Sequence, residues 1–337
     1  MLAYIYELID QNQGSISISD FMNAALYHKQ YGYYMCKVPL GKDGDFVTAP
    51  EISQLFGEII AVWIMYVWEK LDKPEKFSLV ELGPGKGTLI SDIIRVTKKH
   101  SFFFQSMSIH LVEISPALQN IQRKTLQGLN IEWHEDMKNL PEQPTIFLAN
   151  EFFDALPIDQ FVYRDKKWYE NRIAKHSEDG LTIKQIEKKE PVCDSVIFDD
   201  AVVEVCSCGT KMLKKIEEKI CKDRGAALIV DYGYIYPSYK NTLQSIKQHR
   251  YVNFLEDVGN CDITAFVDFQ ALKNSLQHMN CEILTQREFL YSFGIKERAQ
   301  VLIKNATNTQ KKRIMNEFLR LTENMGTLFK VMLMEFL

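Results

Sequence analysis

Val80-Glu81-Leu82-Gly83-Pro84-Gly85-Lys86-Gly87-Thr88 decides the fold. An apolar run through Phe77 and Leu79 leads into three glycines at alternate positions. Leu89-Ile90-Ser91-Asp92-Ile93-Ile94-Arg95-Val96 follows, with apolar residues at helical spacing. The order is strand, tight turn, helix. Glycine lets such a turn adopt positive φ and lets backbone approach a ligand closely. The turn also aims a helix N-terminus across the strand ends, where open α/β sheets bind ligands. A phosphate-cradling loop would read G-x-x-x-x-G-K-[ST], and here Gly87 separates Lys86 from Thr88. A dinucleotide turn would read G-x-G-x-x-G, whereas this one reads G-x-G-x-G behind an acid, Glu81.

Outward from the turn, strand and helix alternate. Met107–Val112 reads as a strand ending at Glu113, and Ser115 caps a helix that begins at Pro116. Asn130–His134 and Pro144–Ala149 read as further strands, ending near Asp136-Met137 and at Asn150-Glu151. This spacing implies a parallel sheet with right-handed crossovers. Before the turn, residues 1–72 read as a helical lid. Ser19 is its expected helix cap. A glycine-punctuated loop runs from Gly41 to Glu51, and Thr48 and Glu51 have capping-box spacing. A helix from there carries Ile52, Leu55, Phe56, Ile59, Ile60, Trp63, Ile64, Val67, Trp68 and Leu71 on one apolar stripe.

Residues 73–158 form the expected Rossmann-like core. Residues 159–200 hold short aromatic and β-branched runs broken by charged turns, an antiparallel β insertion. Residues 201–337 return to the core with the buried strand Ala226–Val230, a long polar segment to about Asp268, and a helical C-terminal part closing on a strand from Leu328 to Met334.

The chain has 337 residues, 46% hydrophobic content and a formal net charge of -4, enough for a large core and without the basic footprint of a nucleic-acid binder. No apolar run is long enough to span a membrane. The N-terminal residues carry no signal-peptide or transit-peptide pattern, which sets a cytoplasmic location as the expectation. Seven scattered cysteines, with Cys206-Ser207-Cys208 the closest pair, show no zinc-ligand spacing, so reduced thiols and no metal are expected.

The form E-x-G-x-G-x-G resembles motif I of class I S-adenosylmethionine (SAM) methyltransferases. SAM is a cation with an amino-acid tail and no phosphate, and an acid beside the turn suits it. Further stretches extend the likeness: Tyr31-Gly32-Tyr33-Tyr34, Gly44–Glu58, Asn150-Glu151-Phe152-Phe153-Asp154-Ala155-Leu156-Pro157, Asp231-Tyr232-Gly233 and Asp262–Phe269. Together they resemble the MidA-like methyltransferases, which include a mitochondrial arginine methyltransferase needed for assembly of respiratory complex I. The resemblance implies a class I fold and SAM as donor. It points to a protein arginine as acceptor, in a complex I subunit or a relative of one. Within it, Glu81, Gly83, Gly85 and Gly87 are the expected cofactor turn. Glu113, 26 residues after Gly87, is the expected ribose acid. Asp136 and Met137 are placed by the adenine and Asn150 beside the cofactor.

Glu151 and Asp154 are the expected acceptor acids, because carboxylates bind a guanidinium in bidentate fashion and orient it for attack. Asp45 and Glu51 are expected to join them from the lid, where Glu51 has an equal claim as a capping residue. Asp45 precedes a buried-looking Phe46-Val47. Tyr33 and Tyr34 are expected to pack. Three other readings compete: a SAM-binding assembly factor without catalysis, a small-molecule methyltransferase, and a nicotinamide-dependent oxidoreductase, the last disfavoured by the turn spacing. Gly85→Val is expected to abolish SAM binding with the fold intact, because a valine Cβ strains a positive-φ turn and fills the ligand's space. Wild-type affinity by calorimetry would place the cofactor elsewhere.

Overall fold

The computed structural model describes residues 1–36, 44–45, 47–177, 179–193 and 198–337. Gly41, Lys42, Asp43 and Phe46 of the expected lid loop lie outside them. The chain divides into two units: Met1–Phe46, Asp154–Met212 and Tyr236–Phe266 form one, and Val47–Phe153, Leu213–Ile235 and Val267–Leu337 form the other.

The second unit holds the glycine turn. Its main strands are β1 (Phe77–Leu82), β2 (Met107–Val112), β3 (Ile131–His134), β4 (Thr145–Asn150), β5 (Gly225–Tyr234), β6 (Cys281–Thr285) and β7 (Phe329–Phe336). They lie side by side in the order β3-β2-β1-β4-β5-β7-β6. The first five are mutually parallel, and β7 runs antiparallel to both β5 and β6. This is the doubly wound α/β sheet expected of a class I methyltransferase, with β1 and β4 adjacent and the order reversing across them. Every residue of β1 is buried, including the polar Ser78 and Glu81 among its apolar residues. Strand β5 extends beyond the expected Val230, because Gly233 and Tyr234 pair in parallel with Val267 and Asp268.

The stripe from Leu55 to Leu71 packs into the core of this unit. It is not one helix with the preceding turn. Ala49–Ile52 forms a short helix, and Ser53 breaks to an extended conformation (φ -158°, ψ 138°). The Ser53 hydroxyl then accepts the Leu55 N–H at 3.3 Å and caps the long helix Gln54–Lys70. The expected capping box at Thr48 and Glu51 is absent: Thr48 is the N-cap, but its side chain makes no cap bond.

On the long helix, a Cβ at Gly57 would stand 2.6 Å from the Asp92 Cβ, so glycine permits close approach of the helix Thr88–Thr97. Beside it, Glu58 Oε1 accepts from Arg95 at 2.6 Å, and Glu58 Oε2 accepts from Arg298 Nε at 2.6 Å. Burial acts to raise the Glu58 carboxyl, but hydrogen bonds and charge from Arg298 and Arg95 outweigh it and hold the pKa below its ordinary value.

The first unit is built on an antiparallel sheet ordered Ile16–Ser17, Lys167–Lys175, Asp159–Arg164, Ala201–Val205, with Leu181–Lys188 also pairing with Lys167–Lys175. The helices Leu2–Gln11 and Ile18–Tyr27 pack Ile5, Ile9, Phe21, Met22 and Leu26 into its core. The cap of the second helix is Ser17, whose hydroxyl accepts the Asp20 N–H at 2.9 Å, and not Ser19, which lies inside the first turn. The segment after Tyr236 is not excluded from the core. It forms a three-stranded sheet, Arg250–Tyr251, Gln244–Lys247 and Asp262–Thr264, and buries Cys261, Ile263 and Ala265. Polar flanks hid this alternation of apolar and polar residues, all of them buried.

Glu58→Gln is expected to lower the unfolding free energy at pH 7 by about 1.5–3 kcal/mol, the range for hydrogen bonds to a charged group. Because the folded pKa is depressed, the wild-type advantage is full above the unfolded-state value of about 4.3 and fades as pH falls through the folded value. Urea unfolding at pH 7 and in acid reads both. Equal stability at pH 7 would remove the clamp.

Candidate active site

Strand β1 delivers Glu81 and then the turn. Gly83, Gly85 and Gly87 all adopt positive φ, at 60°, 54° and 80°. A Cβ at Gly83 would lie 2.7 Å from the Phe152 ring, and one at Gly87 would reach the Leu126 side chain at 3.0 Å. The turn is therefore closed in from two sides, and alanine at Gly83 or Gly87 would meet both strain and side chains.

Glu81 is 3% exposed, and among the described residues its Oε2 atom has no hydrogen-bond partner. Burial, followed by the charge of Glu113, pushes its pKa up to about 8. Asn150, at the end of β4, donates from its side-chain amide to Glu151 Oε1 at 3.2 Å, and its own buried Oδ1 is unpaired among the described residues. Two buried acceptors without donors, next to a turn that excludes side chains, fit a ligand bearing an ammonium or sulfonium group and suit SAM.

Glu113 follows β2 and is buried. Its Oε1 accepts the Ser115 N–H at 2.8 Å and its Oε2 accepts from Gln122 Nε2 at 3.1 Å. Burial nevertheless raises its pKa, against the hydrogen bonds that favour the ion. Gln122 is a residue that sequence reasoning missed. Its Nε2 also donates to the Gly85 carbonyl at 2.8 Å, while its Oε1 accepts from Trp133 Nε1 at 2.9 Å. A fully buried glutamine thus joins the turn, the acid after β2 and strand β3. Its place one turn after Leu118, on the buried side of the helix Pro116–Thr125, was the only available signal.

Asp136 is exposed, its Oδ1 accepting the Lys138 N–H at 2.9 Å, and Met137 is half-buried. Hydrogen bonds from the Lys138 backbone and side chain hold the Asp136 carboxyl below its ordinary value.

The acids expected at the acceptor divide between the two units. In the sheet unit, Glu151 sits at φ 50°, a left-handed conformation unusual for a non-glycine residue. Its N–H donates to the Val230 carbonyl at 2.9 Å, and its Oε1 accepts the Ala49 N–H at 2.9 Å. Glu51 pairs with Lys86 of the glycine turn at 3.3 Å. Asp231, quoted in the resemblance without a role, is fully buried and accepts the Phe153 N–H on Oδ2 at 3.0 Å, fixing the chain beyond Glu151.

In the other unit, Asp45, Asp154 and Asp262 share an aromatic setting. Tyr33 donates to Asp45 Oδ2 at 2.6 Å, and Tyr34 donates to Asp262 Oδ1 at 2.7 Å. Asp45 Oδ1 also accepts the Gln248 N–H at 2.7 Å. Burial, then the charge of Asp154, raises Asp262 to about 7 in spite of the Tyr34 bond. Tyr27 stacks on Tyr34 with ring centroids 5.8 Å apart. Burial, then the charges of Asp154 and Asp262, raises its hydroxyl well above the usual value. The two tyrosines expected to pack thus also bond to carboxylates.

Residues 59–286 match a protein family described as "Putative S-adenosyl-L-methionine-dependent methyltransferase". The chain is 36% identical over 349 residues to the Danio rerio protein named "Protein arginine methyltransferase NDUFAF7, mitochondrial", covering 94% of this chain and 82% of that one. The Homo sapiens protein of the same name is 32% identical over 323 residues, with 87% and 73% covered. A solved structure from Burkholderia thailandensis, bound to S-adenosyl-homocysteine, superposes with a TM-score of 0.86 over 99% of this chain and 91% of that one, at 22% identity, and so shares the fold. The relatives are mitochondrial by name, which overturns the cytoplasmic location expected from the N-terminal residues. That expectation rested on a missing leader pattern, and a missing pattern does not locate a chain.

Glu81 generates a pH dependence. With its folded pKa near 8, the carboxyl is largely protonated at pH 7 in the free protein. A cationic ligand favours the ion, so binding releases a proton and SAM affinity rises with pH up to about 8. Calorimetry at pH 7 in buffers of different ionisation enthalpy is expected to show release of a substantial fraction of a proton, lost in Glu81→Gln. Buffer-independent heats would remove Glu81 from the cofactor contact.

Proposed function

We propose that this chain, which belongs to the family of S-adenosyl-L-methionine-dependent methyltransferases, methylates arginine side chains of a protein substrate. The observation that carries the acceptor is identity of 32–36% over most of the chain to proteins named protein arginine methyltransferase. SAM, when bound, supplies an electrophilic methyl group. Glu81, Gly83, Gly85, Gly87 and Asn150 are the residues assigned to hold it, with Glu113 on the ribose and Asp136 and Met137 toward the adenine.

The acceptor side is chemistry for carboxylates. A guanidinium stays charged in solution and is a planar fork of five donors. Leaving water for a cleft costs it hydration that only anionic acceptors restore. Glu151 is assigned to orient one guanidinium nitrogen. The strained backbone at Glu151 supports a functional role, since such conformations persist where surrounding contacts enforce them. Asp45 and Asp154 are assigned to acceptor recognition, and the neighbouring Asp262 and Tyr34 support this with their shared hydrogen bond. Glu51 is assigned to hold Lys86 and the turn, which moves it from acceptor contact to cofactor support.

Glu151→Gln keeps the shape and removes the charge. It is expected to cut methyl transfer to a protein extract by about 10²–10³-fold, the size of one lost electrostatic contact in a transition state, with SAM affinity within a factor of a few. Asp154→Asn is expected to act in the same direction. Wild-type turnover in Glu151→Gln overturns the assignment. Loss of SAM binding in both variants would make these acids cofactor or folding residues.

A further inference from the structure

We propose that His110, Glu132 and His134 form a binding site for a zinc ion on the face of strands β2 and β3. None of the three belongs to the cofactor turn or the acceptor acids. The parallel register sets His110 directly opposite Glu132, and His134 lies two residues further along β3. Residues two apart on a strand share a face, so all three side chains converge. Their ligand atoms lie within 4.8 Å of one another. His110 Nδ1 is 3.0 Å from His134 Nε2 and 3.8 Å from Glu132 Oε2. Zinc bonds of about 2.0–2.2 Å at tetrahedral angles put neighbouring ligand atoms about 3.3 Å apart, between those two separations. Small rotations of the side chains would admit the ion.

The surroundings select the tautomer such a site needs. Ser108 Oγ donates to the Phe77 carbonyl at 3.2 Å and accepts from Gln143 Nε2 at 2.9 Å. Its one hydrogen is then used, so at 3.0 Å the His110 Nε2 must be the donor. That leaves the lone pair on Nδ1, which accepts the His134 Nε2 proton at 3.0 Å, and metal binding would displace that proton. An outer hydrogen bond fixing the far nitrogen of a histidine is the usual support of a metal ligand. The nearby cation Lys219 is paired with Asp223 at 2.5 Å. Glu132 is 60% exposed in its side chain and opens the site to solvent, leaving the fourth position to water. Spacing along the chain gave no hint, because the ligands come from two strands and meet only through register. The His134 carbonyl accepts the Glu113 N–H at 2.9 Å, so an ion here would brace the strand end that carries that acid.

The test uses the full chain, stripped with chelator and titrated with zinc by calorimetry, and with cobalt by visible absorption. One equivalent is expected, with a tetrahedral cobalt band. Glu132→Gln and His134→Gln, at positions that are not fully buried, are expected to weaken binding at least about 10-fold, and Ser108→Ala by about 10–100-fold through the loss of the outer hydrogen bond. No uptake by the wild-type chain overturns the proposal. Unchanged affinity in both Glu132→Gln and His134→Gln overturns it as well, since the metal would then sit elsewhere. Circular dichroism of each variant separates lost ligands from lost fold.

Discussion

The side-chain amide of Gln122 is the contact on which the proposed cofactor half depends. It donates to the Gly85 carbonyl and to Glu113, and accepts from Trp133. A turn of three glycines is free to adopt many conformations when unfolded, and the folded protein must remove that freedom. Here a buried hydrogen bond removes it from one side and the Phe152 ring from the other. Breaking one partner would strand buried polar groups, which costs more than the bond itself contributes. The turn, the acid after β2 and the indole of β3 are thus fixed together, and the positive φ values follow from that enclosure.

The sheet was largely legible in the sequence because its central strands β1, β4 and β5 are buried almost throughout and read as mainly apolar runs. Met107–Val112 agrees with its expected limits. The glycine spacing was legible because only glycine tolerates those dihedrals next to those side chains. Gln122 was barely legible: its spacing from Leu118 was the one sign that a glutamine on a polar helix is buried. The break at Ser53 was hidden by an apolar stripe that continues across it. The burial of Ile263 and Ala265 was hidden by a segment whose average polarity is high. The division of the expected acceptor acids between two units was beyond reach of sequence, since Glu151 and Asp154 are only three residues apart.

The long block Gly44–Glu58 carried much of the family resemblance, and its physical content is mixed. Asp45 is bound to Tyr33 and the Gln248 backbone. Ser53, Gly57 and Glu58 are architectural: a cap, a close helix approach and an arginine clamp. A specific motif therefore did not mean a run of catalytic residues. At Asp45, Ser53, Gly57 and Glu58 it marked separate mechanical duties.

Glu58 and Glu81 show how the two kinds of residue differ. Both are 3% exposed. Glu58 is held low by Arg95 and Arg298, so the chain itself supplies the counter-charge. No such cation acts on Glu81 among the described residues, and burial with the charge of Glu113 raises it to about 8. Asp262 resembles Glu81, raised to about 7 beside Asp154. Burying a carboxyl without a cation costs stability, and a fold selected for stability alone would replace it with an apolar or amide side chain. The cost is recovered only when a positive ligand arrives. On the proposed reading both such ligands exist: a sulfonium donor for the sheet unit and a guanidinium acceptor for the other. A buried acid with no counter-charge among the described residues is thus the stronger candidate for function than one of equal burial whose counter-charge is present.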